Sequence, residues 1–539
     1  MRKIHFLLFA FLILFFSQCA KKGRPSGGPK DEDAPLFVTA DPPYESINFD
    51  KNEINIYFNE YIKLKDLNKQ LIVSPPLNPS NPSLISPQGS PSKFINIKIL
   101  DTLKENSTYI FDFGNSVQDN NESNTLERFK YVFSTGTYID SLTLEGSVKN
   151  SFKSEDLKNI KLLLYRLDSS YSDSAVYKRK PDYVTSSLDT SNYKFSNLRK
   201  GNYLLVALND ERSDYLFNPK ADEIGFLKDT ISLPRDSILK DIISIFKEEL
   251  PYKFKRGKEI SKGQLILGYE GKVTKINIET ISAVPDNFQT ITFPEKDKDT
   301  INLWHTPIER DSLIFKVNNN GISDTIVIKL RKKEIDSLKV SPQTIGVLDY
   351  KDTLFLSTNN PIIKIDTTKI NFIDTDTINI LYTPYISKKE NKIGFIFQKK
   401  FKKTYKLNVY PNALTDIFNT SNDTIISQFK TRSLEDYGEI TLDVKNTKKT
   451  PVIIQLTDLN DKTIAQETTS VSKNISFKYL NPNRYKIRII YDINNNGKWD
   501  TGNYLAKKQP ELVEYLPEIQ EVRANWQLPI VLNIKELLQ

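Results

Sequence analysis

Apolar and polar residues alternate with a period of two along much of this chain. In the run 54–62, Ile54, Ile56, Phe58 and Ile62 share one parity, and Asn55, Tyr57, Asn59 and Tyr61 the other. In 94–100, Ile95, Ile97 and Ile99 alternate with Asn96 and Lys98. A period of two puts every second side chain on one face, and the β-branched and aromatic residues suit a half-buried strand. Further strands are predicted over 108–113, 131–135, 144–150, 160–165, 193–203 running into 204–210, 264–269, 273–278, 313–317 and 325–329. The run 238–246 alternates only in part and is expected to be one more strand. Asn320-Gly321 separates the last two runs of that series and predicts a two-residue hairpin turn. The proline- and serine-rich stretch 75–91 reads as a loop. Short strands divided by turn chemistry predict an all-β chain of sandwiches.

Two local patterns resemble known modules. Pro42-Pro43, then Ile56 to Glu60 (Ile-Tyr-Phe-Asn-Glu), Thr108-Tyr109 and Phe133-Ser134-Thr135 together resemble the bacterial Ig-like domain of the SbsA type, first described in surface-layer proteins. The resemblance covers about 36–139. Phe195, Leu198, Gly201, Tyr203 and Leu205 form a Phe-x-x-Leu-x-x-Gly-x-Tyr-x-Leu signature. It resembles the transthyretin-like sandwich that serves carboxypeptidases as a regulatory domain. That resemblance implies a support or binding unit without catalytic residues over 140–249, with Gly201 in a turn and Tyr203 packed into the next strand.

Both patterns recur. Asp50 to Ile56 returns as Tyr350 to Leu356, Thr108-Tyr109 as Thr404-Tyr405, and Phe133 to Thr135 as Phe429 to Thr431. Val148-Lys149-Asn150 returns as Val444-Lys445-Asn446, and Leu198, Tyr203 and Asp210 as Leu480, Tyr485 and Asp492. One order kept across both modules, with small steps in spacing, is the mark of a tandem repeat. Length alone suggests three or four domains; the repeat raises this to five. The expected architecture is all-β, with tandem Ig-like and transthyretin-like β-sandwiches in an extended multidomain chain. The Ig-like domains fall at 36–139 and 340–434, and the transthyretin-like sandwiches at 140–249 and 435–539. A sandwich of unassigned family lies between the copies, at 250–339.

The N-terminus adds a location. Arg2 and Lys3 precede an apolar run, 6–16, and then Ser17-Gln18-Cys19. A basic start with a short apolar core has the form of a secretory signal, and the run is shorter than the roughly 20 residues a membrane-spanning helix needs. Cys19, the only cysteine among the 539 residues, resembles the acylated cysteine of a bacterial lipobox. Phe16 and Gln18 depart from that pattern, which prefers Leu and a small residue there. The resemblance implies a signal peptide over 1–18, lipidation at Cys19 and an outer-membrane lipoprotein held through its N-terminal lipid, on either the periplasmic or the surface side. The other reading is an ordinary cleaved signal. Residues 19–35, rich in Gly, Pro and charge, then form a flexible tether.

Composition excludes several functions. The net charge of +8 is spread over 75 basic and 67 acidic residues without a basic block, so nucleic acid is not an expected partner. With 30 Phe and 26 Tyr the chain can build real cores. The histidines are His5, in the signal, and His305. A zinc site needs a cluster of His or Cys, which the chain beyond residue 18 does not supply. A hydrolytic triad would rest on His305 alone, and Trp304-His305-Thr306-Pro307 shows no nucleophile elbow; a strand-edge histidine is the plainer reading. Glu60 reads as a strand-end or loop carboxylate.

The best candidate ligand site runs from Asp492 to Asn503. Asp492, Asn494, Asn496 and Asp500 place oxygens at loop positions 1, 3, 5 and 9, with Gly497 at 6, the spacing that wraps a backbone around Ca²⁺. It resembles an EF-hand or dockerin-type loop, although Asn503 stands where a bidentate Glu is expected. The competing reading is a β-hairpin turning at Asn496-Gly497, with local Asx bonds. The first copy keeps Asp210 but not the loop. No other cofactor is expected. The whole points to a non-enzymatic envelope lipoprotein, a structural, adhesive or protein-interaction scaffold, and resembles the Ig-like lipoproteins of Bacteroidota-type cell envelopes. Its partners would be envelope or surface proteins, or glycans. The alternative is glycan capture, which exposed aromatics such as Trp304, Trp499 or Trp526 would favour. A hydrolase with an unrecognised carboxylate pair ranks third.

Overall fold

The computed structural model describes residues 30–536 except 79, 189, 235–241, 274, 296–297 and 332–333. Cys19, the signal 1–18 and most of the tether therefore lie outside the described residues. Among those described, strands dominate, the two α-helices Leu67–Gln70 and Ala175–Lys178 are single turns, and no helix is long and apolar enough to cross a membrane.

Alternation becomes burial as the sequence requires. In strand Glu53–Leu64, Ile54, Ile56, Phe58 and Ile62 are buried against Phe111, Phe113 and Phe133 of the facing sheet. The front sheet orders Phe37–Asp41, Glu53–Leu64, Ser92–Lys98 and Leu84–Ser86, and the back sheet orders Ile72–Ser74, Thr108–Asp112 and Lys130–Ser134. Leu84–Ser86 lies inside the stretch expected to be loop. It is an edge strand, where the surrounding prolines leave no ladder donor missing.

The repeat is visible in the topology. The second sandwich has a sheet ordered Asn192–Leu198, Leu142–Asn150, Ile243–Ile245, its last pair parallel with Ile243 opposite Val148. The last sandwich orders Lys473–Leu480, Gly438–Lys445, Gln527–Asn533, again with a parallel last pair and Leu532 opposite Val444. Their facing sheets match too. Tyr183–Ser186, Lys161–Arg166, Gly201–Asn209 and Glu223–Phe226 correspond to Thr463–Thr469, Val452–Thr457, Asn483–Tyr491 and Val513–Tyr515. The first and fourth sandwiches agree in side-chain locks. Lys104 N donates to Tyr109 Oη at 2.8 Å and Lys400 N to Tyr405 Oη at 2.9 Å. Likewise Tyr203 Oη donates to the Arg199 carbonyl at 2.8 Å and Tyr485 Oη to that of Asn481 at 2.7 Å. A buried tyrosine hydroxyl needs such a partner.

Between the copies, sheets built from Lys253–Ser261, Gln264–Glu270, Thr300–His305 and Thr290–Pro294, and from Ile276–Thr280, Ser312–Asn319 and Ile322–Lys329, enclose one core. The strand expected over 273–278 starts later, at Ile276, and residue 274 lies outside the described residues. Asn320 and Gly321 make the expected hairpin turn with φ of 50° and 89°, joining Asn319 to Ile322. Of the run 238–246, Ile243–Ile245 forms a strand; residues 238–241 lie outside the described residues.

Consecutive sandwiches touch through side chains. Val184 N donates to Ser74 Oγ at 3.1 Å, Lys220 pairs with Glu270 at 3.0 Å, Ile417 is buried with Phe293 and Trp304, and Asn481 Nδ2 donates to Asp349 at 2.9 Å.

Candidate functional site

The longest-range contacts join the last sandwich to the second. They arise from the loop that carries Asp492, Asn494, Asn496 and Asp500, which follows strand Asn483–Tyr491. Asp492 is buried at the strand end. Its two carboxylate oxygens accept from the N–H groups of Asn496, at 2.9 Å, and Gly497, at 2.7 Å. Asn494 and Asn496 donate their side-chain amides to Asp500 Oδ2 at 2.5 and 2.9 Å. Burial pulls the Asp500 carboxyl upward, but those amide bonds outweigh it and hold it below its usual pKa. Glu511 accepts from the N–H groups of Ile493 and Asp500 at 3.1 and 3.0 Å. Burial, with Asp492 and Asp500 nearby, lifts its pKa.

The four residues are thus together, yet each is engaged within the loop. Amide N–H groups, not amide oxygens, face Asp500. The donor set as held does not fit a hard cation, which needs converging oxygens. Among the described residues no group of three or more His, Cys, Asp or Glu is placed to hold a metal ion. The competing hairpin is not formed either. The turn has positive φ at Asn495 and Gly497 and the expected Asx bonds, but the antiparallel strands that flank it, Asn483–Tyr491 and Val513–Tyr515, close around the whole loop 492–512 rather than at Asn496-Gly497. The first copy uses the same device. Asp210 accepts from Arg212 and Tyr215 N–H at 3.1 and 2.7 Å, and Asp222 from Glu211 and Asn218 N–H at 3.2 and 2.7 Å. Carboxylate caps at the strand end are therefore a property of the module, and the longer loop of the second copy is what they hold out.

That loop is a clasp. Trp499 packs on Phe152 with ring centroids 4.8 Å apart, and Thr501 Oγ1 donates to the Lys247 carbonyl at 2.6 Å. Tyr504 is fully buried among Phe226, Tyr177 and Phe246 of the second sandwich. Its ring meets Phe226 edge-on at 5.3 Å, its hydroxyl lies 3.2 Å from that of Tyr171, and its N–H donates to Glu248 Oε1 at 2.5 Å. Burial lifts the Glu248 carboxyl above its usual pKa, against the pull of that N–H. Lys507 reaches Asp173 at 2.6 Å, and Gln509 Nε2 donates to the Phe226 carbonyl at 2.8 Å. Gly502 passes so close that a Cβ there would lie 2.6 Å from the Phe246 ring and 2.7 Å from the Lys508 carbonyl oxygen.

Beside the clasp, Arg488 is buried and pairs with no carboxylate among the described residues. Its guanidinium donates to Gln455 at 2.8 Å and to Tyr515 Oη and Thr463 Oγ1 at 3.1 Å each. Its charge lies 4.1 Å from the centroid of Phe152, an attraction that strengthens in a dry site. Tyr515 Oη donates on to the Phe152 carbonyl at 2.9 Å, and its pKa is pushed up to about 12, first by burial.

The other candidates separate. Trp304 is buried, Trp499 is half-buried in the clasp, and Trp526 is 60 % exposed. Glu60 lies within a strand, in its irregular stretch between Tyr57 and Ile62. Burial first, then Asp119, Asp31, Glu122 and Asp33, raise its pKa. His305 ends a strand inside a cleft of the third sandwich. Sequence reading missed the clasp and Arg488. The signals were two aromatics, Trp499 and Tyr504, in a largely polar loop.

The family model described as a bacterial Ig-like domain matches residues 31–135, the first sandwich. No curated protein matches the chain. Among solved structures, domains 5–6 of the S-layer protein SbsC are 7 % identical, with 34 % of this chain and 97 % of that one covered and a TM-score of 0.17. The Bacillus anthracis TIE protein is 10 % identical, with 94 % and 76 % covered and a TM-score of 0.15. Domains 4–9 of SbsC are 9 % identical, with 84 % and 66 % covered and a TM-score of 0.20.

Proposed function

We propose that the protein is a non-enzymatic cell-envelope lipoprotein that acts as a rigid β-sandwich scaffold for other envelope proteins. The observation that carries this reading is the clasp. It ties the last sandwich to the second, although two further sandwiches intervene in sequence, and every consecutive pair is also in contact. A chain fixed at so many junctions keeps its surfaces at constant spacing, which is what a scaffold needs. The Ig-like match at 31–135 supports it. In this reading residues 1–18 are removed, Cys19 carries the lipid, and 19–35 hold the first sandwich away from the membrane. The units at 140–249 and 435–539 are transthyretin-like supports. Labelling with radioactive palmitate tests the anchor: incorporation is expected and is lost in Cys19→Ala. Crosslinking of intact envelopes followed by purification tests the scaffold, with one stoichiometric protein expected. Recovery of the chain alone from both whole envelopes and membrane fractions would defeat it.

A second reading, glycan capture, is favoured by the outer face of the first sandwich. Tyr57 and Phe94 stand 5.7 Å apart and exposed, and Lys93 lies over the ring of the neighbouring Tyr61 at 5.3 Å. Exposed ring faces with a cation beside them suit stacking of a sugar. Retention of the protein on envelope polysaccharide, lost in Y57A/F94A, is the expected result for that reading.

A further inference from the structure

His305 closes strand Thr300–His305 of the third sandwich. Its ring is buried and lies against Phe288 with centroids 5.7 Å apart. Nδ1 lies 2.8 Å from the Thr306 carbonyl, an acceptor, so Nδ1 carries the proton and Nε2 presents a bare lone pair. Burial lowers the His305 pKa, against the pull of the Thr306 carbonyl and of Glu259, so the ring is neutral near pH 7. Nε2 has no hydrogen-bond partner among the described residues, and a buried polar atom left so is costly.

The residue lines a cleft of about 500 Å³ with Glu259, Lys262, Arg310 and Arg331. Glu259 is also buried and accepts from Arg331 N–H at 2.5 Å through Oε2. A neutral Nε2 and a carboxylate oxygen are both acceptors, so neither can satisfy the other. Nε2 still wants a donor, and a hydroxyl supplies one. At the rim, Lys262 pairs with Glu309 at 3.4 Å, but no carboxylate among the described residues is within ion-pair distance of the Arg310 or Arg331 guanidinium. Two free guanidiniums are suited to bind a carboxylate through charge-assisted bonds.

We propose that this cleft binds an acidic saccharide unit, one hydroxyl donating to His305 Nε2 and the carboxylate held by Arg310 and Arg331. The inference deepens the glycan reading but places it at a site apart from the Tyr57–Phe94 face. Beyond residue 18 the chain has a single histidine, so in the histidine-labelled protein without residues 1–18 its imidazole Cε1–H signal reports this cleft alone.

The probes are methyl β-D-glucuronide, methyl β-D-glucoside and acetate. A saturable shift is expected with the glucuronide, at a Kd about tenfold or more below that of the glucoside, as one charge-assisted bond supplies. Acetate should leave the signal in place, and R310A/R331A should bring the glucuronide to the level of the glucoside. Both arginines are exposed at the cleft rim, so the double variant keeps its fold. No saturable movement, equal affinity for the two glycosides, a shift with acetate, or an unaffected R310A/R331A would each overturn the proposal. Retention on polysaccharide that is lost in Y57A/F94A while the imidazole signal stays unmoved defeats this site and leaves the broader glycan reading standing.

Discussion

Replacing Tyr504 with Ala should open the clasp while leaving both sandwiches folded. Tyr504 belongs to the aromatic cluster of the second sandwich, not to the core of the last one, so the loss falls on docking. Truncating a buried aromatic in a core costs about 3–5 kcal/mol. A loop can relax more than a core, so the low end, about 3 kcal/mol, is the fair expectation; it already covers the edge-on contact with Phe226 and the hydroxyl bond to Tyr171. That corresponds to about a hundredfold in the docking equilibrium. Amide hydrogen exchange reads this directly, because a protected amide exchanges through opening. The amide at 504, which donates to Glu248 in the wild type, should lose protection about a hundredfold across peptides spanning 501–509. Peptides from strand Val452–Thr457, in the core of the last sandwich, should keep theirs. A loss below about fivefold, far short of what a buried aromatic supplies, refutes the clasp as drawn. An equal loss in Val452–Thr457 also refutes it, because Tyr504 would then support the module itself.

Other outcomes follow from the same geometry. Gly502→Ala drives a methyl into the Phe246 ring and the Lys508 carbonyl; the backbone oxygen cannot swing aside, so docking should weaken by about 1–3 kcal/mol, read by the same peptides. Arg488→Lys leaves Gln455 and Thr463 short of a partner inside a buried site, and urea unfolding of the last sandwich should come about 1–3 kcal/mol easier; an unchanged midpoint would show the guanidinium to be idle. Glu248 has its docked pKa raised above the ordinary 4.5 by burial. Its contribution to docking is therefore fully present below that ordinary value and is lost as pH rises through the raised one. Exchange protection of 501–509, corrected for intrinsic rates, should fall over that window, and E248Q should remove the slope. Millimolar Ca²⁺ should leave melting and protection unchanged, since the Asp492 loop is closed by its own hydrogen bonds; a stabilisation abolished by D492A would restore the calcium reading.

Period-two alternation is a local signal, and most of the runs it marked fall within about two residues of an observed strand. It failed where local cues conflict, as in the proline-rich stretch that hides Leu84–Ser86 and in the late start of Ile276–Thr280. The tandem repeat was legible because each module needs the same buried residues at the same steps. Val148 and Val444 occupy equivalent core positions opposite parallel partners, and Tyr203 and Tyr485 make equivalent corner bonds. The loop spacing from Asp492 to Asp500 was legible as a constellation but not as chemistry. Spacing says which side chains can converge, while the direction in which the Asn494 and Asn496 amides point depends on the fold of the loop.

The sequence by itself determined the class of structure, the duplication and the absence of a basic block, because each is written in residue order over ten or twenty positions. Tertiary structure alone decided that Trp304 is core, that Trp499 and Tyr504 reach the second sandwich, and that Arg488 finds the ring of Phe152. Those partners lie hundreds of residues apart, and no period along the chain encodes their meeting. It depends on how successive sandwiches are angled at each junction, and those angles are set by a few side-chain contacts that only the folded chain brings together.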